Sequence, residues 1–201
     1  MSDAGQTPAA PPPRVGSRER MVRSAALLFR EHGYSGTAFS DVIEHSGAPR
    51  GSIYHHFPDG KAQLAAEAVA WAADAVAARL DAALAQERDA AGVLRAFLDQ
   101  WREVLERSDF RAGCPIVAVT IETDAPPELV AAAAAAFAGW QELLTVRLEH
   151  AGIEPDRAAG LATLAVASIE GAVVLCRARR DTRPLDAVEH ELARAIDAAR
   201  A

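Results

Sequence analysis

Between Gly47 and Phe57 the chain reads Gly-Ala-Pro-Arg-Gly-Ser-Ile-Tyr-His-His-Phe. Arg50 brings a planar fork of donors, Ser52 and Tyr54 bring hydroxyls, and His55 brings a ring nitrogen. Pro49 opens this exposed stretch, and Gly51 and Ser52 are small enough to let a backbone come close to a partner. Donors of this kind suit phosphate oxygens and the edges of bases, and an arginine in a major groove commonly pairs with guanine. Thr37 and Ser40 lie just upstream with two more hydroxyls, and Lys61 follows with an ammonium. The chemistry on offer is recognition of DNA.

Catalysis finds less support. The chain has no nucleophile elbow in a Ser-His-Asp order, no phosphate loop and no metal motif. His55 and His56 are neighbours, so on a helix they project about 100° apart and converge poorly on one ion. Cys114 and Cys176 fit neither a metal spacing nor a disulfide framework, and they read as reduced, packed thiols. The expectation is therefore no enzyme, no metal and no cofactor.

A recognition segment needs a scaffold, and the surrounding pattern supplies helices. Apolar Met21, Val22, Ala25, Leu28 and Phe29 recur at helical spacing, with Ser17 as a cap and Gly33 as a stop. Thr37 or Ser40 can cap a second, short helix ending at Gly47. A third runs from about Pro49 to His56. Val42, Ile43, Ile53 and Phe57 supply the contact between these two, and Gly47 permits the positive φ of a sharp turn. Beyond Pro58-Asp59-Gly60 the pattern predicts helices at about 61–86, 89–107, 114–122, 127–152, 155–179 and from Pro184 onward. The run Ile116-Val117-Ala118-Val119 could pass for a strand, but a lone strand would lack a partner. The class is all-α: a three-helix N-terminal head with a helix-turn-helix, and a helical C-terminal body. The boundaries read 1–16 as a disordered tail rich in Pro and Ala, 17–60 as the head and 61–201 as the body.

The 201 residues are 50% hydrophobic with net charge −7. Residues 14–65 nevertheless carry seven basic side chains against five acidic. A mildly basic head on an acidic body is expected when only the head meets phosphate. No apolar run reads as long enough to span a bilayer without a charge, and the N-terminus lacks a secretory pattern. The expected location is cytoplasmic, in association with the nucleoid.

In the body, Trp71, Trp101, Phe110, Phe137 and Trp140, together with Cys114, are the candidates for lining an apolar ligand pocket. The alanine run Ala131 to Ala136 would leave room beside Phe137 and Trp140. The last two helices offer Leu161, Leu164, Ser168, Ala172 and Leu175, then Leu185, Val188, Leu192 and Ile196. These stripes are the candidates for a pairing surface.

The pattern Gly-x-x-x-Gly-Ser-Ile-Tyr-x-His-Phe from Gly47 to Phe57 resembles the signature of the TetR family. Phe29-x-x-x-Gly33-Tyr34-x-x-Thr37 is similar to a second element of that family. Together they cover about Arg18 to Leu64. The Pro58-Asp59-Gly60 turn and Gly113-Cys114-Pro115 resemble the lincomycin-resistance and flavonoid-responsive subgroup (LmrA/YxaF-like). Ile43 departs from the pattern, which commonly has alanine there. The resemblance implies a homodimer paired through its last two helices, double-stranded operator DNA as partner and a small-molecule effector. By the same resemblance Tyr54 and Lys61 would contact phosphates, as would Thr37 and Ser40. Arg50 and Ser52 would read bases, and His55 would touch either. The implied function is a repressor of a palindromic operator, released by a small hydrophobic or aromatic ligand. The alternative is a ligand-independent or activating regulator whose body is a protein-interaction module.

Overall fold

The computed structural model describes residues 16–86 and 90–200. They form α1 (Ser17–His32), α2 (Phe39–Ser46), α3 (Ser52–His56), α4 (Gly60–Gln86), α5 (Ala90–Arg107), α6 (Pro115–Thr120), α7 (Pro127–His150), α8 (Pro155–Arg179) and α9 (Arg183–Ala199). There is no strand among the described residues. Ile116-Val117-Ala118-Val119 lies in α6, opened by Pro115 at its first position. The expected tail, apart from Gly16, lies outside the described residues, as does Asp89 at the expected start of α5.

Three expected helix starts differ. Gly16, not Ser17, caps α1. Neither Thr37 nor Ser40 caps α2: Ala38 holds that place, and its amide donates to Asp41 Oδ2 at 2.7 Å. The third helix begins only at Ser52, because Pro49, Arg50 and Gly51 form a turn before it. The expected stops hold. Gly33 (φ 75°) returns its amide to the Phe29 carbonyl at 2.9 Å, and Gly47 (φ 62°) takes the left-handed turn between α2 and α3.

Met21, Ala25, Phe29, Val42, Ile53 and Phe57 are buried together, with Leu64 and Ala68 of α4 completing the head. This core continues along α4 into the body. The 27-residue α4 packs on α1, α5 and α7, α7 packs on α8, and α9 lies against α5 and α8. The Trp140 indole of α7 donates to the Ala73 carbonyl of α4 at 3.1 Å, which satisfies a buried donor. Arg102 of α5 reaches Asp186 at 2.8 Å and Glu189 at 2.6 Å on α9.

By length and composition alone α7 and α8 pass for membrane spans, with mean hydropathy 1.5 and 1.9 over 18 residues. The expectation that no run is long enough is corrected to that extent. Tertiary packing explains α8, whose Ala162, Val166, Ile169 and Val173 are buried in the core around Glu170. In α7 the hydropathy comes largely from the alanine run, and Leu129, Ala133, Ala136, Trp140 and Leu148 are buried.

Candidate nucleic-acid interface and the clefts of the body

The head is tied together by polar contacts as well as by its core. Arg20 Nε donates to the Ser46 carbonyl at 3.1 Å, and His45 Nδ1 pairs with Ser24 Oγ at 2.9 Å. Ser17 Oγ and His56 Nε2 are 3.0 Å apart, with the tautomer unassigned. The α2–α3 pair is thus held from three places on α1. His56 is used in that role, and its ring also meets Phe57 edge-on at 6.3 Å. Among the described residues no group of three or more His, Cys, Asp or Glu could hold a metal.

On this frame Pro49, Arg50, Gly51, Tyr54 and His55 are exposed together along the turn and α3. Tyr54 is 69% exposed, and its ring leans on Phe39 at 5.8 Å, which aims the hydroxyl outward. Ser52 is half-buried and its hydroxyl donates to the Pro49 carbonyl at 2.7 Å. Its proton is therefore engaged locally, and its oxygen remains as an acceptor. Ser40 is exposed beside Asp41, 3.3 Å from Oδ1. Lys61 Nζ rests 4.2 Å above the Tyr34 ring, and burial pulls its pKa below the ordinary value.

Thr37 is a correction. It is 1% exposed and its hydroxyl donates to the Gly33 carbonyl at 2.9 Å. A hydroxyl enclosed in that way locks the α1–α2 turn and has no reach to a phosphate.

A further contact lies 87 residues away in sequence from the loop it holds. Glu122, just past α6, accepts from the Ser35 amide at 3.0 Å and from the Ser35 hydroxyl. Burial opposes ionisation, but these bonds and the Tyr34 amide hold the Glu122 carboxyl below its ordinary pKa. The Gly113 amide donates to the Arg30 carbonyl at 2.9 Å. These two links fasten the end of α1 to the segments flanking α6, so body and head are mechanically joined there. No local pattern in the sequence signals either one.

The six expected pocket residues do not converge. Trp71 and Trp101 line one cleft, of about 120 Å³, between α1, α4 and α5, with Arg30, Arg79, Phe97 and Gln100. Phe97 and Gln100 carry no signal that separates them from ordinary core and surface positions in α5. Phe110 is half-buried at the edge of the core in a separate cleft with His32, Val174 and Arg177, and Arg180 lies over its ring at 6.0 Å. Phe137 and Trp140 meet edge-on at 5.8 Å in the α4–α7 packing. Trp140 instead borders a groove of alanines along α4 and α7. Cys114 is buried near Glu170 in another cleft, bounded by Phe29, Gly33, Val117 and Arg177. Burial, with Glu170 adding to it, pushes its thiol well up, so little thiolate forms at neutral pH. Both cysteines are free and buried.

Arg30 has no hydrogen-bond partner at its buried Nε. Burial lowers its pKa. Cys114 and Glu31 act against that, and Arg79 acts with it. Glu170 is 8% exposed, and neither of its inaccessible carboxyl oxygens accepts a hydrogen bond of ordinary geometry. Burial raises its pKa to about 7, and the Cys114 thiol beside it acts in the other direction.

The expected pairing residues divide. Leu161, Ala172, Leu185, Leu192 and Ile196 are between 0% and 7% exposed, packed inside a single chain. They are corrected from surface to core. The amphipathic stripe of α9 is satisfied by α5 and α8 of its own chain. Val188 is half-buried. Leu164 and Leu175 are each 48% exposed, with half-buried Ser168 and exposed Gly171 between them on the outer side of α8.

A short helix pair with an exposed Arg-Tyr-His face, carried by a long helical body, defines a helix-turn-helix regulator. Residues 22–68 match the family described as bacterial regulatory proteins, tetR family. Residues 90–191 match the C-terminal domain described as transcriptional regulator LmrA/YxaF-like. The chain is 49% identical over 183 residues to an uncharacterised HTH-type transcriptional regulator of Mycobacterium tuberculosis, covering 88% of this chain and 92% of that one. It is 32% identical over 170 residues to the HTH-type transcriptional regulator LmrA of Bacillus subtilis, covering 84% and 90%. A TetR transcriptional regulator from Chloroflexus aurantiacus has a similar structure, with TM-score 0.76 at 37% identity over 90% of this chain and 94% of that one. The chain belongs to the TetR family of helix-turn-helix transcriptional regulators, in the group with an LmrA/YxaF-like C-terminal domain. It is a DNA-binding regulator and not an enzyme.

Proposed function

We propose that the protein is a cytoplasmic, dimeric repressor of a palindromic operator, released by a small hydrophobic or aromatic ligand. Residues 17–60 meet DNA, and residues 61–201 pair and sense. The observation that carries this reading is the rigid display of Arg50, Tyr54 and His55 at α3, together with the exposed stripe on α8. Arg50 reads bases. Tyr54, Lys61 and Ser40 contact phosphates, and His55 and Ser52 add hydrogen bonds.

A second copy covers Leu164, Ser168, Gly171 and Leu175. The spacing of four, three and four residues puts them on one face of a helix, and the small residues between the leucines let two helices come close. Two recognition helices then enter successive major grooves about 34–36 Å apart. A ligand between α1, α4 and α5 presses on the helix from which α2 and α3 are held, through Arg20, Ser24 and Ser17. It releases DNA to the extent that it binds the splayed arrangement better.

The test is a gel-shift titration on DNA from upstream of its own gene, repeated with a panel of small aromatic and apolar compounds. The expected result is tight binding without ligand and release by at least one compound, with reporter expression rising to match. Binding that no compound in a broad panel relieves, or reporter output that falls when the gene is deleted, refutes the ligand-released repressor and favours the activating or protein-interacting reading.

A further inference from the structure

The cleft between α1, α4 and α5 combines two features that are unusual side by side. Its floor is aromatic and apolar, from Trp71, Phe97 and Trp101. Two arginines, Arg30 and Arg79, stand on its wall, and none of the described residues lining it is an acid. Neither guanidinium has an ion pair or hydrogen bond among the described residues, and Arg30 Nε is buried without a partner. Glu31, the next residue along α1, makes no ion pair with Arg30. Arg23 adds a third positive charge outside, over the Trp71 ring at 5.6 Å. Arg30 also borders the cleft of Cys114 and Glu170, and Arg79 acts on it as a like charge that the neighbouring Glu31 opposes. A bound anion at the two guanidiniums would offset the repulsion between them.

We propose that this cleft is the binding site for a small aromatic monocarboxylate, its ring on Trp71, Phe97 and Trp101 and its carboxylate held by Arg30 and Arg79. The proposal rests on the ligand-release reading and gives it a chemical class. The volume, about 120 Å³, sets the size. A cavity of roughly 150 Å³ holds benzene in an engineered protein core, so a single ring fills this one and its charged group stays at the mouth. A guanidinium suits a carboxylate because its donors form a planar fork, which pairs with both oxygens at once. Gln100 lines the same cleft and adds a neutral donor or acceptor for a ring substituent. Arg30 lies on α1, whose other residues hold α2 and α3, so the carboxylate would pull directly on the helix that carries the head.

The probes are benzoate and benzamide, which match in shape and differ in charge. Each is titrated into the full-length protein while tryptophan fluorescence is followed, and dissociation from operator DNA is measured separately. Benzoate is expected to bind saturably and at least tenfold more tightly than benzamide. Arg30→Gln and Arg79→Gln should each weaken benzoate about tenfold and leave benzamide unchanged. Arg79 is exposed, so its replacement leaves the core intact even if Arg30→Gln melts early. Equal affinity for the two probes overturns the proposal. So does benzoate binding that is indifferent to Arg79→Gln, or no binding of either probe. Arginine-dependent benzoate binding that leaves DNA bound supports the anion site and refutes ligand release. Release by some other compound with no benzoate binding does the reverse.

Discussion

Replacing Glu170 by glutamine should change how stability depends on pH. The side chain sits on α8 with both carboxyl oxygens sealed from solvent, beside the Cys114 thiol. In the unfolded chain it ionises near its ordinary value of 4.5, whereas in the folded protein burial raises this to about 7. Below pH 4.5 the group is neutral in both states and costs nothing. Between 4.5 and about 7 the unfolded chain releases the proton that the folded protein keeps, so stability falls as pH rises. Above about 7 both states are ionised and the loss is complete. Raising the pKa from 4.5 to about 7 corresponds to roughly 3 kcal/mol. That is a large share of the 5–15 kcal/mol that typically holds a domain folded. Glutamine cannot ionise. Its buried amide carries some fixed penalty, but that penalty does not vary with pH. Urea unfolding of both proteins, followed by circular dichroism at pH 5 and pH 8, isolates the effect, because all other groups titrate alike in the two. The advantage of Glu170→Gln over the parent should grow by about 2–3 kcal/mol from pH 5 to pH 8, part of the loss having already occurred at pH 5. A difference between the two proteins that is the same at both pH values would show that Glu170 is not held neutral by its surroundings.

Other substitutions probe the interface, the pairing face and the link between head and body. Arg50→Ala should weaken operator binding and relax base preference at one position, at about 1–3 kcal/mol of discrimination. Tyr54→Ala and Lys61→Ala should weaken binding across all sequences and reduce its salt dependence. Equal losses on operator and random DNA for all three variants would remove Arg50 from base reading. Leu164→Glu with Leu175→Glu should give folded monomers by sedimentation, whereas Leu192→Asp, inside the core, should lower the melting temperature itself. Intact dimers in the first case would move the pairing face off α8. Glu122→Ala should speed amide exchange at Ser35 and cost on the order of 1 kcal/mol, and unchanged exchange would mean that the contact does not hold the loop.

The head was legible because its signals are local. Gly33 and Gly47 each end a helix at a positive φ, and the Gly-Ser-Ile-Tyr-His-His-Phe run fixes which side chains face out from α3. The body was legible as helices but not as surfaces. A stripe such as Leu185, Leu192 and Ile196 says that one face of α9 is buried, and not whether its cover is the same chain or another. Here α5 and α8 supply it. The aromatic residues scatter for a similar reason. Trp71 and Trp101 meet only because α4 and α5 pack, while Phe110, beyond the end of α5, lines a different cleft with His32 and Arg177. Thr37 looked like a free hydroxyl until the turn at Gly33 placed a carbonyl 2.9 Å from it. Glu122 and Ser35 are far apart in sequence, and only the tertiary fold brings them together.

The reading of the protein as a paired regulator depends on two copies of α3 reaching DNA at a fixed spacing. Inserting five base pairs at the centre of the footprinted operator rotates one half-site by about half a helical turn, since successive grooves recur every 10–10.5 base pairs. Affinity for the altered operator, measured by fluorescence anisotropy, should fall on the order of 10²-fold or more toward non-specific binding, and inserting ten should not restore it, because the half-sites then share a face but lie about one helical turn farther apart than the fixed pair of heads reaches. Unchanged affinity after the five-base-pair insertion would contradict the paired arrangement.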